Sequence, residues 1–505
     1  MELQNPYFLI PLSILFFTFI ALKNSITKKS ILPPGPWKLP IIGNMHHFIN
    51  CEPHHRLRDL AKKHGPLMHL QLGEIPTLIV STPEAAREVL KNNDINFAQR
   101  PPLLCADVVA YGCTDVVFSP YGNYWQQLRK MCITQLMTPK SVQSFRGIRE
   151  EEVSKFVSLC SSRAKGTINI SKGIFSMMFD ITTRSAFGEI MKDQKAFLDA
   201  IEEGLEVGGG FTVADMFPSF KYIDYISGAK RRLEAIHRKV DGMFDEMINE
   251  HKNKKPAMKK DEDEEDHKDL LDLLLEAQKN GDHEFTLSND NIKAVIVDIF
   301  TAGSDTSAST VEWTMSELIK NPSVMAKAQA ELRNVFRMKG TVDEDGLHEL
   351  KYLKAVIKES MRLHPAAALL LPRECRKSCE IFGYEIPVKT RVLVNSWAIG
   401  RDPNYWSEAE KFNPERFIEN GFDYKGAPNL EFIPFGAGRR VCPGIGFAIA
   451  NVELPLAHLL YHFDWKLPNG QKNEDLDMTD VFGLTVGRKD DLILVPIPHL
   501  PQPVG

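Results

Sequence analysis

The sequence predicts a mainly helical fold with a minor β region, built as one large domain behind an N-terminal apolar segment. Three observations predict it. Helical periodicity of apolar residues dominates from about residue 82 to about residue 420. The β-like runs are short and few: Leu67-Met68-His69-Leu70-Gln71-Leu72, Thr77-Leu78-Ile79-Val80 and a stretch near 388–394. No internal repeat and no second domain boundary interrupts the chain after its N-terminal segment. A domain of roughly 470 residues exceeds the usual size, which asks for a cofactor organising one core or for an undetected subdomain.

Composition narrows the function classes. The 505 residues are 43% hydrophobic and 25% charged, which is globular usage and excludes a wholly disordered or collagen-like chain. Lys+Arg 61 against Asp+Glu 66 leaves a net charge of −5, without the basic excess of a protein that tracks phosphates, so no nucleic-acid partner is expected. The eight cysteines (Cys51, Cys105, Cys113, Cys132, Cys160, Cys375, Cys379 and Cys442) are too sparse for a disulfide scaffold and include no C-x-x-C pair.

Taken in chain order, the first element is the run at 6–22 (PYFLIPLSILFFTFIAL), 17 residues without a charge. It is near the short limit of a membrane-spanning helix, roughly 17–25 residues. Lys23, Lys28 and Lys29 follow it, so the positive-inside bias puts the body on the cytosolic side. A cleaved signal peptide is the competing reading. It fits less well, because the basic residues come after the apolar run and no small-x-small site closes it. Leu32-Pro33-Pro34-Gly35-Pro36 cannot continue a helix and reads as a stiff extended spacer. Thr82-Pro83-Glu84 and Ser288-Asn289-Asp290 carry the caps of helix starts. The charge-dense run at 252–268 reads as a solvated loop.

Within the helical body, Trp125 and Arg129 stand four residues apart and share a helix face. Ala302-Gly303-Ser304-Asp305-Thr306 interrupts a long apolar helix expected from about 292 to 318. Glycine beside threonine is locally unfavourable there, so the segment serves something other than helix stability. The Thr306 hydroxyl and the Asp305 carboxyl can relay protons. Glu359 and Arg362, three apart, can form a charge-assisted pair on one face.

The sharpest pattern is Phe435-Gly436-Ala437-Gly438-Arg439-Arg440-Val441-Cys442-Pro443-Gly444. Its glycines allow close backbone approach to a flat ligand, and Cys442 stands where a helix begins, so the dipole favours its anionic form. The two G-x-G pairs, from Gly436 and Gly444, lack the third glycine of a dinucleotide loop, having Val441 and Ile449 there.

The ten-residue pattern resembles the haem-binding loop of the cytochromes P-450 at every fixed position. The A-G-x-D-T helix, the E-x-x-R pair, the W-x-x-x-R helix and Phe412-Asn413-Pro414-Glu415-Arg416-Phe417 match the same family. The similarity covers most of the chain. Its wording at 32–44, 302–313 and 432–444 is that of plant microsomal members acting on specialised metabolites, terpenoid oxidases among them.

The resemblance implies a cytochrome P-450 fold and three units: a membrane anchor with basic flank at 1–31, a proline-rich hinge at 32–44 and a catalytic domain at 45–505. It implies haem b with Cys442 as axial thiolate, which favours O–O cleavage. Trp125, Arg129, Arg373, Phe435 and Arg440 would hold the haem, and Thr306 with Asp305 would be catalytic. Glu359, Arg362 and Arg416 would form a structural network, and Ala302, Ala368, Leu369 and Leu484 would border the substrate. It implies a monooxygenase that hydroxylates or epoxidises a hydrophobic small molecule, a diterpene or sesquiterpene, with O2 as co-substrate. Electrons would come from NADPH through NADPH-cytochrome P-450 reductase, at the endoplasmic reticulum membrane. The alternatives within the resemblance are a reductase-independent isomerase or dehydratase and a non-enzymatic membrane haem protein. Alanine at Ala366 and Ala368, where this branch commonly has proline, adds freedom above the haem.

Overall fold

Helix α1 (Pro53–His64) starts on a proline, whose fixed φ suits the first helical position. It ends at Gly65, which takes φ 105° and returns its N–H to Ala61 O. The chain then forms strands β1 (Leu67–Leu72) and β2 (Ile75–Val80), an antiparallel hairpin turning at Gly73 (φ 60°). The expected start of the second strand at Thr77 moves back to include Ile75 and Pro76. Pro76 fits because parallel pairing with the next strand begins only at Thr77, so its missing N–H interrupts no bond on that side. Strand β3 (Arg373–Glu374) and strand β4 (Arg391–Val394) complete the sheet in the order β1-β2-β4-β3, with β2 and β4 parallel.

The computed structural model describes residues 31–499 except 165, 192, 209–211, 221–227, 254–267, 281–286, 420 and 425–429. The apolar run at 6–22 and most of the charged run at 252–268 lie outside the described residues. Among the described residues no helix is long and apolar enough to cross a membrane.

Seven further helices position the site: α2 (Asn123–Met131), α3 (Ile170–Phe187), α4 (Gln194–Gly208), α5 (Ala229–Asn253), α6 (Asn289–Lys320), α7 (Lys351–Leu363) and α8 (Ile445–His462). Helix α6 is the axis of the molecule and packs against both α3 and α8. Its start carries the cap expected at Ser288, which the structure completes as a capping box: Ser288 Oγ accepts the Asn291 N–H at 3.1 Å. Ile292, Ile296, Val311 and Leu318 of α6 are at most 1% exposed, each stabilising the fold by about 1.5–3 kcal/mol. Phe300 of α6 stacks on Phe187 of α3 with ring centroids 5.4 Å apart, and Phe197 of α4 meets Phe300 edge-on at 5.1 Å. These rings lock α3, α4 and α6 into one core.

Two histidines, half-buried His69 and buried His458, make this fold acid-sensitive. Burial, and to a lesser degree the charge of Lys38, pushes His69 on β1 down from 6.5 to about 4. Burial, then His462, does the same to His458 on α8, also to about 4. Between those values the unfolded chain binds more protons than the folded one. The stability these groups contribute is therefore complete above pH 6.5 and is lost as pH falls toward 4. Thermal melts followed by far-UV circular dichroism should show the midpoint falling steadily across that window. A midpoint flat with pH there contradicts the assignment of these histidines as neutral in the folded protein.

Candidate active site

The loop before α8 is shaped by two left-handed glycines, Gly436 (φ 69°) and Gly438 (φ 72°). Gly438 is required twice over, since a Cβ there would stand 2.2 Å from Leu90 O. A single 3-10 turn, Gly438–Arg440, follows, and the Cys442 N–H closes the loop on Phe435 O at 3.0 Å. The Phe435 ring meets Tyr424 edge-on at 5.6 Å. Cys442 thus stands just ahead of α8, whose N-cap is Gly444. Burial pushes its thiol up, while the Gly444 N–H and the charge of Arg129 pull it down.

Around this loop the fold gathers four arginines. Arg129 on α2 donates to Val441 O at 2.5 Å. Trp125, one turn earlier, donates its indole N–H to Val116 O at 2.9 Å, and the Arg440 guanidinium lies 4.0 Å from its ring centroid. Arg440 itself donates to Ala98 O (2.9 Å), Val116 O (3.3 Å) and Ser119 O (2.6 Å). Arg373, the first residue of β3, donates to Ala437 O at 2.7 Å and pairs with Asp94 at 3.2 Å.

The fourth, Arg100, was not singled out from the sequence. It donates to Val117 O (2.8 Å), Leu371 O (2.9 Å) and Pro372 O (2.6 Å). Burial, then repulsion from Arg440, Arg373 and Arg129, holds Arg100 well below the usual arginine range. Burial, then repulsion from Arg373 and Arg129, holds Arg440 at about 9. Asp94 pairs with Arg373, and Asp115 eases Arg100 and Arg440 only through its charge. A cluster so short of carboxylates is built for an anionic ligand.

On α6, Ala302 is exposed between half-buried Thr301 and Gly303 in the middle of a mostly buried helix. The Thr306 hydroxyl donates to Ala302 O at 2.6 Å, one turn back. Asp305 faces a different direction, into a polar cleft bordered by Ser171, Glu312, Thr485 and Arg488. Burial pushes the Asp305 carboxyl up and the Thr485 hydroxyl, donating to it, pulls it down. The same helix borders a different cavity one turn earlier, through Val297, Asp298 and Thr301.

A second, mostly aliphatic cavity is bordered by Leu103, Ala106, Val297, Ala368, Leu369 and Leu484. Three of the four residues expected at the substrate meet there, while Ala302 lies outside that lining. Three acids not singled out from the sequence, Asp115, Asp215 and Asp298, also border this cavity. A lone aspartate in the apolar run AVIVDIF was the available signal for Asp298. Asp115 carried none.

Away from both compartments, Glu359 on α7 is fully buried. It accepts two bonds from Arg362 (2.7 and 2.8 Å), one from Arg416 (3.1 Å) and the Asn413 N–H (2.7 Å). The Glu359-Arg362-Arg416 network implied by the family resemblance is thus assembled as a closed buried unit.

Comparison with known proteins fits this geometry. Residues 33–495 match the family model described as cytochrome P-450. The chain is 50% identical to premnaspirodiene oxygenase of Hyoscyamus muticus, covering 97% of this chain and 98% of that protein. It is also 50% identical, with the same coverage, to 5-epiaristolochene 1,3-dihydroxylase of Nicotiana tabacum. At 53% identity it matches desmethyl-deoxy-podophyllotoxin synthase of Sinopodophyllum hexandrum, covering 96% of this chain and 95% of that protein. A zebra fish cytochrome P-450 structure with progesterone superposes with a TM-score of 0.77 at 25% identity, covering 89% of this chain and 100% of that one.

Haem, the cofactor of that family, fits the residues present: a thiol at a helix start, four guanidinium groups short of carboxylates, and an exposed alanine midway along α6. The chain belongs to the cytochrome P-450 family and is a haem monooxygenase.

Proposed function

We propose that this chain is a microsomal monooxygenase that hydroxylates or epoxidises a terpenoid of sesquiterpene or diterpene size. Its electrons come from NADPH through NADPH-cytochrome P-450 reductase at the cytosolic face of the endoplasmic reticulum, with the run at 6–22 as the anchor. The aliphatic cavity formed by Leu103, Ala106, Ala368, Leu369 and Leu484 carries this reading, since it offers a hydrocarbon many contacts and few donors. The two relatives named for premnaspirodiene and 5-epiaristolochene support the terpenoid class and favour a sesquiterpene.

In this reading the Cys442 thiolate would hold the haem iron, and the Gly444 N–H and the charge of Arg129 support that ionised form. Trp125, Arg129, Arg373, Arg440 and Arg100 would hold the anionic groups of the haem, and Phe435, whose carbonyl accepts the Cys442 N–H, would help to hold the haem beside that loop. Bound haem supplies the activation of O2, one atom of which enters the substrate while the other leaves as water. Ala302, a small residue exposed on α6, leaves room for the reacting carbon. Asp305, raised by burial, takes up a proton from the polar cleft. Thr306, next to it on the helix, hands the proton on by turning its hydroxyl away from Ala302 O. Exposed Lys130 and the half-exposed Arg439 side chain, both near Cys442, provide the positive surface that steers the acidic reductase.

Reconstituted microsomes test this. Product should form only with NADPH and reductase, and equal product without reductase contradicts the reading. Thr306→Ala should cut product per NADPH about tenfold to a hundredfold while NADPH oxidation continues as hydrogen peroxide release. Unchanged coupling in that variant would remove Thr306 from the proton path.

A further inference from the structure

Three metal-ligating side chains that take no part in the cysteine site meet where the first turn of α1 touches strand β5 (Asp480–Val481). His54 Nε2 and His55 Nε2 each stand 3.1 Å from the same oxygen, Asp480 Oδ2, and the three ligand atoms lie within 4.8 Å of one another. The aspartate is 426 and 425 residues away from them in sequence, so only the fold brings the three together.

The surroundings hold the two rings in place. His54 is fully buried, and Asn395 Nδ2 donates to its backbone carbonyl at 2.8 Å. Its ring meets Trp397 edge-on with centroids 5.1 Å apart and stacks on Phe482 at 5.8 Å. The His55 ring lies against the same Trp397 at 4.3 Å. His54 Nδ1 has no hydrogen-bond partner among the described residues, so Nε2 is that ring's only polar attachment. The His55 side chain is 38% exposed, which leaves an entry path from solvent.

Read as two hydrogen bonds into one carboxylate oxygen, these contacts are long, since bonds with an ionised partner run about 2.7–2.9 Å. The same spacing is close to the edge of a tetrahedron around zinc, where bonds of about 2.0–2.1 Å put neighbouring ligand atoms roughly 3.3–3.4 Å apart. Two imidazoles and one carboxylate leave the fourth position to water. Calcium and magnesium take oxygen ligands, so this donor set selects a borderline transition-metal ion instead. Asp480 supplies one negative charge and Glu52, whose charge reaches His54, a second. Arg401, whose charge reaches Asp480, is itself paired with Glu410 at 3.1 Å.

The geometry points to a zinc site at His54, His55 and Asp480 that ties α1 to the border of the aliphatic cavity. From β5 the chain runs directly into Phe482, Gly483 and Leu484, all of which border that cavity. The Phe482 N–H already donates to Glu52, two residues before His54, at 2.6 Å. A bound ion closes the same junction a second time, through side chains, and holds this stretch of the wall against α1.

Zinc binding to the untagged, full-length holoenzyme tests this, after treatment with a chelator and dialysis against micromolar zinc, wild type beside His55→Ala and His55→Gln. His55 is half-exposed, so both variants should fold, and glutamine keeps a donor for Asp480 while lacking the imidazole. The carbon monoxide spectrum checks each preparation. At saturation the wild type should hold one zinc per chain more than either variant. Loss of a direct ligand should weaken that site by more than the about 10–100-fold that loss of an outer partner costs. Excess magnesium should not displace the ion. Zinc should also slow hydrogen exchange of the 481–484 amides, in the wild type alone. Equal zinc binding by the wild type and both variants, or displacement by magnesium, overturns the inference. So does exchange at 481–484 that saturating zinc leaves unchanged.

Discussion

Replacing Arg362 by alanine is expected to prevent accumulation of folded haem protein. Its guanidinium makes two bonds to Glu359 and donates to the carbonyls of Gly400, Ala409 and Lys411, with no part of either charged side chain exposed. Arg362→Ala strips Glu359 of its bidentate partner and leaves three carbonyls short of a donor. Arg416 then remains as the only charged partner of Glu359, through one bond at 3.1 Å. Removing one member of such a buried pair costs about 3–5 kcal/mol, a large share of the roughly 5–15 kcal/mol that holds a domain together. Arg362→Lys keeps the charge but not the fork, and should fall between the wild type and alanine. The measurement is spectrally intact haem protein per unit of expressed chain. Wild-type yield and melting in Arg362→Ala would show that the network is not what holds the α7 region in place.

How far the molecule was legible beforehand depended on the distance over which each signal acts. Local signals read well. Ser288 caps α6 where the capping pattern placed it, and Glu359 and Arg362 meet because three residues is nearly one turn. Trp125 and Arg129 share a face for the same reason, with the guanidinium 5.6 Å from the ring. Pro76 misled, because whether a proline interrupts a strand depends on which neighbour it faces, and that is fixed by β4 some 300 residues later.

Arg100 was invisible for a related reason. Its acceptors Leu371 and Pro372 are backbone carbonyls about 270 residues away, and a carbonyl has no residue-type signature. The segment 115–119 was equally silent, though it is a junction. Its N–H groups go to Asp298 and Asp115 on the cavity side, and its carbonyls go to Arg100, Trp125 and Arg440 on the cysteine side. The cysteine loop was the reverse case. Close approach, left-handed backbone and helix start must all occur within ten residues there, so the chemistry is written in consecutive positions.

Cys442→Ser is expected to have the largest functional effect. The loop geometry would survive, since the 442 N–H bond to Phe435 O and the Gly438 turn do not depend on the side chain. Gly444 and Arg129 would still face the position. Serine supplies no thiolate, however, and a buried hydroxyl is far harder to ionise than a thiol, so the electron donation that favours O–O cleavage is lost. NADPH-dependent oxygenation should drop to background while the chain still folds. The most direct test of the central claim is the carbon monoxide difference spectrum of the reduced protein, wild type beside Cys442→Ser. A wild-type Soret band at the position characteristic of thiolate ligation, absent from Cys442→Ser, is the predicted result. A freshly prepared, haem-replete wild type without that band, or a band that persists in Cys442→Ser, would contradict it.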